Sequence, residues 1–448
     1  MIIILSLILN IAMGDLCDPR MWVSMLERSY TAPTVKMNQF EFGKGSGKSP
    51  RKWAVQSMDG AAELQLVDLG PRDSEDLFLA VHGLTANGAE FKPISKELRR
   101  QGVRHWLTNL RGDGNRHARS IVRKENRKKG IMGLFAQLDD LETYLAAAIN
   151  EKNLRRREGK NLRINLLNHS RGALLARMHL MGFRWINERL VYDPNYAKTV
   201  GKQIHGVWNL SGPVKSKNIR PIIDSLERVM SKDQILKTLD YFQEVLPTVW
   251  GTRYLDPDWD SYSHFRRLLE APPVMAEKLI SKIFVPKSLF SRRTQDVIWF
   301  FQNEPLSWTW NSDIMSDFAR LGINRMRFKA LHAQTGKEQV FDLSKPHPIH
   351  VGALIEVAAE NDQLVPFEEV VTLAREFQEA GHNNVLSLRM MGYDHFNQVA
   401  DPEALGSFMK LSSQDPEGFR SLFQGAPLNL KDGQWSTLEG RPISPPSP

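Results

Sequence analysis

The feature that most constrains the fold of this chain is a regular alternation of short apolar runs with segments of helical periodicity. A continuous apolar run at 77–81 predicts a buried strand, and further strands are predicted at 103–107 and 162–167. Apolar residues at helical spacing predict helices between them, over 91–101 and 131–149. Strands that alternate with helices are typical of a mostly parallel sheet with helices on both faces. The expected fold class is therefore α/β.

The alternation is interrupted by one long segment. It stops after a predicted strand at 205–210 and resumes with a predicted strand at 351–358. Residues 215–345 between them have helical patterns and hold five of the eleven tryptophans. We predict that this segment is a large helical insertion. Two interpretations of its aromatic side chains stay open: they form the core of the segment, or they line a site for an apolar group.

Length and composition agree with a folded globular chain. The chain has 448 residues, of which 42% are hydrophobic and 25% charged, and this balance excludes a mainly disordered chain or a polytopic membrane protein. The polar tail from residue 414 ends in a proline-rich stretch and is expected to be loosely ordered. The predicted organisation is a signal peptide at 1–14, an N-terminal extension at 15–49, the first part of the core at 50–214, the helical insertion at 215–345, the second part of the core at 346–412 and a C-terminal tail at 413–448.

The N-terminus predicts export. Residues 1–14 are apolar but too short to span a bilayer, which needs about 20 residues. Ala12-Met13-Gly14 is a small-x-small pattern of the kind that precedes signal-peptidase cleavage, although no basic residue precedes the apolar run. The expected location is secreted or periplasmic, with a cytoplasmic location as the alternative. The single cysteine, Cys17, excludes an intrachain disulfide and a cysteine-based zinc site.

The chain is basic, with a net charge of +8. The excess lies in three clusters, and contact with an anionic surface is open to them. No aromatic residues interleave with these clusters, so a nucleic-acid partner is not expected. The clusters are Lys44, Lys48, Arg51 and Lys52; Arg123, Lys124, Arg127, Lys128 and Lys129; and Lys152, Arg155, Arg156, Arg157 and Lys160.

One short motif joins a predicted strand to a predicted helix and carries a candidate nucleophile. Asn168-His169-Ser170-Arg171-Gly172 resembles the nucleophile elbow of the α/β-hydrolase family, a sharp strand-to-helix turn that exposes the serine above the sheet. Small residues on either side of the serine let the strand and the helix approach closely, and Gly172 fits this need. Asn168 stands where the family usually has glycine. The resemblance implies that Ser170 is the nucleophile and that His169 and Gly172 support it.

A second motif resembles the oxyanion loop of the same family. His82-Gly83-Leu84 follows the predicted strand at 77–81. The resemblance implies that the backbone N–H of Leu84 and that of Arg171 form the oxyanion hole. His82 and Gly83 are expected to support the loop structurally.

Two further loops resemble those that complete the catalytic triad. Asp362 lies in a segment similar to the family's acid loop, after the predicted strand at 351–358. His395 follows the predicted strand at 385–390. The chain order Ser, Asp, His is that of the family. Asp394 is the alternative acid, but residues adjacent at a strand end usually point apart, so Asp362 is preferred.

The resemblance as a whole implies an α/β-hydrolase sheet with helices on both faces and the 215–345 insertion as a cap over the active site. The implied activity is a serine hydrolase that cleaves a carboxylic ester, lipase-like in accepting an apolar group. Alternatives are a thioesterase or aminopeptidase on the same scaffold, or a non-catalytic binding or surface protein. A serine nucleophile argues against dehalogenases and epoxide hydrolases. The expected partner is a small ester, including a lipid, and no metal or organic cofactor is implied.

Overall fold

The structure is a computed structural model that describes residues 33–35, 37–40, 51–83, 86–111, 114–115, 118–122, 133–215, 227–228, 230–237, 312–362, 364–395, 397–400, 402–423, 427–431 and 434–443. The predicted signal peptide at 1–14 lies outside the described residues, as do residues 238–311 of the predicted insertion. Within the described part of the chain, none of the helices combines the length and apolar character needed to cross a bilayer.

The described elements alternate between strand and helix over most of the chain. The strands are β1 (Met37–Phe40), β2 (Arg51–Gln56), β3 (Ala62–Leu69), β4 (Asp76–Val81), β5 (Arg104–Asn109), β6 (Gly114–Asn115), β7 (Ala118–Arg119), β8 (Ile121–Val122), β9 (Arg163–His169), β10 (Phe183–Ile186), β11 (Arg189–Tyr192), β12 (Ile204–Leu210), β13 (Arg327–His332), β14 (Glu338–Asp342), β15 (Ala353–Ala359), β16 (Val385–Met391), β17 (Leu428–Lys431), β18 (Gln434–Ser436) and β19 (Pro442–Ile443). The helices are α1 (Lys92–Arg100), α2 (Gln137–Arg157), α3 (Arg171–Leu180), α4 (Pro194–Gly201), α5 (Ser312–Ile323), α6 (Phe367–Glu379), α7 (Asn397–Ala400), α8 (Pro402–Gln414) and α9 (Pro416–Phe423).

One large sheet organises these elements. Its strand order is β1-β2-β3-β5-β4-β9-β12-β15-β16-β17-β18-β19, with β8 paired to β3. Neighbours from β5 to β17 are parallel, whereas β3 is antiparallel to both β2 and β5. Strands β4 and β15 are buried along their whole length because helices cover both faces, which is why they are apolar apart from Asp76 and Glu356.

Two apolar cores lie on the two faces of the sheet. One contains the inward side chains of α2, α3 and α6, and the other those of α1, α8 and α9. The predicted class, a mostly parallel α/β sheet with helices on both faces, is confirmed.

The prediction of helix throughout 215–345 is wrong for its last part. There β13 and β14 form an antiparallel hairpin, and β13 pairs in parallel with β11 in a separate sheet of order β10-β11-β13-β14. Aromatic side chains form the centre of this sheet: the ring centroids of Phe183 and Phe328 and those of Phe183 and Phe341 are each 5.0 Å apart. Phe328 and Phe341 therefore serve as core residues, one of the two interpretations left open by the sequence.

This small sheet lies away from the predicted nucleophile. Its first hairpin, β10–β11, directly follows the C-terminal end of α3, whereas Ser170 precedes the first residue of that helix. Helix α3 has ten residues, a length of about 15 Å. The described end of the insertion thus packs about one helix length from Ser170. The cap expected over the active site concerns residues that are mostly outside the described ranges, and it stays a prediction.

The prediction of a loosely ordered tail is wrong as far as residue 443. Helix α9 and strands β17–β19 extend the fold, and β17 pairs in parallel with β16 at the edge of the large sheet. The side chains of Phe419 and Trp435 are buried in the second apolar core. These two large apolar residues, set among polar ones, attach the segment to the fold because their burial removes apolar surface from water.

Parts of the basic clusters are already paired within the molecule. Arg51 donates to Asp68 at 3.0 Å. Arg155, near the end of α2, is buried and donates to the backbone carbonyls of Arg72 and Ser74. These two arginines therefore make their hydrogen bonds within the folded chain. Contact of the remaining basic residues with an anionic surface stays a prediction.

A buried arginine joins three segments on one side of the sheet. Arg111 follows β5 and is fully buried against Asp59, Asp139 and Asp140. Asp140 binds it most closely, with Oδ2 accepting from the Arg111 backbone N–H at 2.7 Å and Oδ1 from Nε at 2.9 Å. Arg111 thus links the segment after β5 to Asp59 and to the first turn of α2.

Three carboxyl groups share this one guanidinium, so their protonation differs. Burial raises the pKa of Asp139 well above its usual value, and the neighbouring charge of Asp59 adds to the effect. Burial also raises the pKa of Asp140, to about 6, although Arg111 opposes the shift. The pKa of Asp59 is lowered, because its bonds to Arg111 outweigh its burial. Asp139 is therefore the carboxyl group of the three whose negative charge is least favoured by its surroundings.

Replacing Asp140 and replacing Asp139 should have different effects on stability. Asp140→Asn removes the charged partner of a buried arginine and should lower the free energy of unfolding by about 3 kcal/mol. Asp139→Asn removes a negative charge that its surroundings do not favour and should cost about 1 kcal/mol or less. Urea denaturation of both variants at pH 7 tests this, and equal losses would contradict the smaller contribution of the Asp139 charge.

Candidate active site

Ser170 occupies a strained turn between β9 and α3. Its backbone has φ 49° and ψ −115°, a conformation that L-residues adopt at a cost of about 1–3 kcal/mol. The turn is held by the Ser170 N–H, which donates to the carbonyl of Leu210 at the end of β12 at 2.9 Å. The half-buried serine therefore stands at the carboxyl edge of the sheet, at the end of its buried strands.

Gly172 is required by the packing of α3. A Cβ atom at this position would lie 2.1 Å from the carbonyl oxygen of Val81, at the end of β4. The first turn of α3 thus packs directly on the backbone of β4. The structure gives the glycine two residues after the serine the role expected from the sequence.

Asn168, which departs from the usual glycine, belongs to a buried polar row. Its Nδ2 donates to Oδ1 of Asn209 at 2.9 Å, and Nδ2 of Asn209 donates to Oε1 of Glu356 at 3.0 Å. These three residues stand side by side on β9, β12 and β15. Arg177 on α3 binds the Glu356 carboxylate at 3.0 Å. The asparagine therefore has a partner inside the sheet and links the elbow to its neighbours.

Asp362 and His395 lie together at the ends of neighbouring strands. His395 Nδ1 is 2.8 Å from Oδ2 of Asp362, and both side chains are buried. Oδ1 of Asp362 accepts the backbone N–H groups of Leu364 at 2.8 Å and Val365 at 2.7 Å. It is thus the Asp362 carboxylate that binds Nδ1, and proton exchange with a nucleophile would fall to Nε2 of His395.

The environment keeps Asp362 ionised. Burial acts to raise the pKa of Asp362, but the charge and hydrogen bond of His395, with hydrogen bonds from Ser211 and Val365, outweigh it. The pKa of Asp362 is lowered as a result. A carboxylate that accepts several hydrogen bonds can orient an imidazole and stabilise its cation.

The candidate residues follow three strands of one parallel sheet. Ser170 follows β9, Asp362 comes shortly after β15 and His395 after β16, in the chain order Ser, Asp, His. The strained turn at Ser170 and the chain order Ser, Asp, His are the features that identify the fold. The chain has the α/β-hydrolase fold.

The loop expected to form the oxyanion hole of this α/β-hydrolase fold packs beside the serine. A Cβ atom at Gly83 would lie 3.3 Å from Cβ of Ser170. His82 supports the loop: its Nδ1 is 3.0 Å from the carbonyl oxygen of Gly83 and 3.1 Å from Nη2 of Arg171, and its Nε2 accepts the Leu110 N–H at 3.3 Å. Leu84 lies outside the described residues. Arg171 is the first residue of α3, so its N–H is one of those that point outward from the N-terminus of the helix.

Three polar residues of the site, Ser211, Gln398 and Glu90, lie in no motif identified from the sequence. Ser211 directly follows β12 with φ 46°, and its hydroxyl accepts from Gln398 Nε2 at 2.7 Å and hydrogen-bonds to Asp362. Glu90 is buried and accepts the Gly83 N–H at 2.8 Å. The only signal that could have indicated Ser211 is the Ser211-Gly212 pair after a predicted strand. For Glu90, the corresponding signal is an acidic residue that stands between two apolar residues, at 89–91.

Comparison with known proteins gives structural similarity at low sequence identity. No protein-family model and no curated protein sequence matches this chain. The chain is similar to a thermophilic esterase from Thermogutta terrifontis, with 14% identity, 80% of this chain and 96% of that chain covered and a TM-score of 0.41. It is also similar to a carboxyl esterase from Bacillus coagulans (14%, 88% and 99%, 0.44) and to potato epoxide hydrolase I from Solanum tuberosum (14%, 84% and 98%, 0.45).

Gly172→Ala should disrupt the elbow by steric overlap. The added methyl group would meet the Val81 carbonyl at 2.1 Å, a backbone atom that cannot move without shifting β4, so we expect a loss of about 3 kcal/mol in unfolding free energy. Gly159→Ala is the control: it has φ +73° with open space around it, and should cost about 1–2 kcal/mol through backbone strain alone. Chemical denaturation measures both. A Gly172→Ala loss no larger than the control would contradict close packing at the elbow.

Proposed function

We propose that the protein is a serine hydrolase that cleaves carboxylic esters through Ser170, His395 and Asp362. The observation that carries the proposal is the 2.8 Å contact between His395 Nδ1 and Asp362, on the same sheet edge as a serine held in a strained elbow. A half-buried nucleophile in a strained turn, on the same sheet edge as a buried and oriented imidazole, is the arrangement that acyl transfer needs.

In the proposed reaction, Ser170 Oγ attacks the ester carbonyl while Nε2 of His395 takes its proton. The tetrahedral oxyanion accepts hydrogen bonds from two backbone N–H groups, which we assign to Arg171 and Leu84. One such donor accelerates the reaction by about 10²–10³-fold. His395 then protonates the leaving alcohol, and an acyl-enzyme remains. Water activated by His395 releases the acid, while Asp362 holds the imidazole and its positive charge throughout.

We propose further that the substrate carries an apolar acyl or alcohol group. The support is the aromatic content of 215–345, of which residues 238–311 hold all five tryptophans of the segment. Thioesters and aminoacyl amides use the same acyl chemistry and are the alternative substrates. A non-catalytic protein on this fold is the rival function; Asn168 was its support in the sequence, and the hydrogen bond of Asn168 to Asn209 gives that residue a structural role instead.

Ser170→Ala should abolish ester turnover and covalent labelling by a fluorophosphonate probe, with an unchanged circular dichroism spectrum. The reason is that the probe reacts only with a serine activated by a working triad. Labelling is read from a fluorescent gel and turnover from release of p-nitrophenol.

A pair of neighbouring variants tests the rest of the triad. Asp362→Asn should lower kcat about 10⁴-fold, as the wrong imidazole tautomer does in triads, whereas Asp394→Asn should have a much smaller effect. If the two effects were reversed, Asp394 would be the acid. If the wild-type protein were neither labelled nor active on esters, thioesters or aminoacyl-anilides, the non-catalytic alternative would replace the proposal.

The specificity constant should rise with acyl length across p-nitrophenyl esters from acetate to laurate and then reach a plateau. An apolar site gains about 0.8 kcal/mol for each buried CH₂ group, which is a few-fold per carbon until the site is full. A steady fall from acetate onward would contradict an apolar acyl site and would favour a small-ester or peptide substrate.

A further inference from the structure

Two buried titratable side chains beside the proposed triad have no part in the reaction described above. Glu90 lies in the short 3₁₀ turn at Gly88–Phe91, and His169 is the last residue of β9. Both are almost completely buried, and Oε2 of Glu90 is 3.3 Å from Nδ1 of His169. Since burying ionisable groups is costly unless they are paired, a buried acid–base pair at this place calls for a role.

The pair connects the two loops that approach Ser170 from either side. Oε1 of Glu90 accepts the backbone N–H of Gly83 at 2.8 Å, in the loop proposed to form the oxyanion hole. Nε2 of His169 is 2.8 Å from the backbone carbonyl of His395, and the two imidazole rings are 4.8 Å apart between centroids. A continuous path of hydrogen bonds thus runs from Gly83 through Glu90 and His169 to His395.

The contacts also favour a charged His169. Its two ring nitrogens face oxygen atoms, those of a carboxylate and a carbonyl, and an imidazole that is protonated at both nitrogens can donate to both. Burial acts to lower the pKa of His169, but Glu90, the His395 carbonyl and the charge of Asp362 outweigh it, and the pKa is raised. The groups that face this imidazole are Glu90, His395 and Asp362.

We propose that Glu90 and His169 are positioning residues: they hold the oxyanion loop and the His395 loop at a fixed distance across Ser170. This proposal rests on the proposed function, because its catalytic consequence requires that Ser170 and His395 react. Neither residue is placed to touch substrate. Their effect is expected on kcat, because a small displacement of an oxyanion donor or of the base weakens the transition state more than it weakens substrate binding.

The test compares two neutral replacements with a matched control. Glu90→Gln keeps the size of the side chain but removes the charge that holds His169. His169→Gln can donate to one of its two acceptors but not to both. The control is Glu142→Gln, which removes the charge of another buried glutamate, one that lies on α2 and pairs with Arg184.

We expect Glu90→Gln and His169→Gln to lower kcat on p-nitrophenyl butyrate by about 10²-fold, with KM within about threefold of wild type. Glu142→Gln should leave kcat within about threefold at a temperature where all variants are folded by circular dichroism. Two NMR measurements do not depend on activity. In the wild type, the ¹⁵N shifts of His169 should be those of a cation at pH 7, and in Glu90→Gln the amide of Gly83 should exchange with solvent faster.

The outcomes separate the two proposals. An active, labelled wild type with Glu90→Gln and His169→Gln at full kcat would overturn the positioning role and leave the serine hydrolase intact. A wild type without labelling or turnover would overturn the proposed function. In that case the two NMR measurements still test the positioning role of Glu90 and His169. Unchanged protection of the Gly83 amide in Glu90→Gln, or a neutral His169 in the wild type, would overturn that role.

Discussion

The candidate site depends on the close approach of helix α3 to strand β4. Without a side chain at Gly172, the first turn of the helix rests on the carbonyl of Val81, and the chain can reverse at once from β9 into α3. This contact forces Ser170 into its strained backbone conformation, and the hydrogen bond from Ser170 to Leu210 holds it there. The strain is stable because the buried sheet and helix on either side of the turn determine the path of the chain.

A row of buried polar side chains crosses the large sheet, and its members are joined by hydrogen bonds. This row, Asn168, Asn209 and Glu356, crosses three strands and ends at Arg177. A buried polar group is costly without a hydrogen-bond partner, so each member of such a row stabilises the next. The row explains how an asparagine can stand at the elbow, where the family usually has glycine: its amide points to a neighbouring strand that offers an acceptor.

The proposed chemistry is shared among loops that are distant in the sequence. The hydrogen bond between His169 and the carbonyl of His395 joins residues 226 positions apart, and the one between His395 and Asp362 joins residues 33 positions apart. Parallel strands bring them together because their carboxyl ends meet at one edge of the sheet. The described end of the insertion belongs to another part of the molecule, where Phe328 and Phe341 form a core with Phe183.

The sequence by itself determined the central strands, the elbow and the loops of Asp362 and His395. Strands buried on both faces are rich in apolar residues, and a sharp strand-to-helix turn needs a glycine after the serine, so both leave local signals. Only the tertiary structure decided the partners of Glu90, His169, Ser211 and Asn168, and the strands at 327–342. Contacts between residues far apart in the chain have no local periodicity. The aromatic side chains of β13 and β14 pack against a hairpin more than 130 residues earlier, and their own segment does not encode that contact.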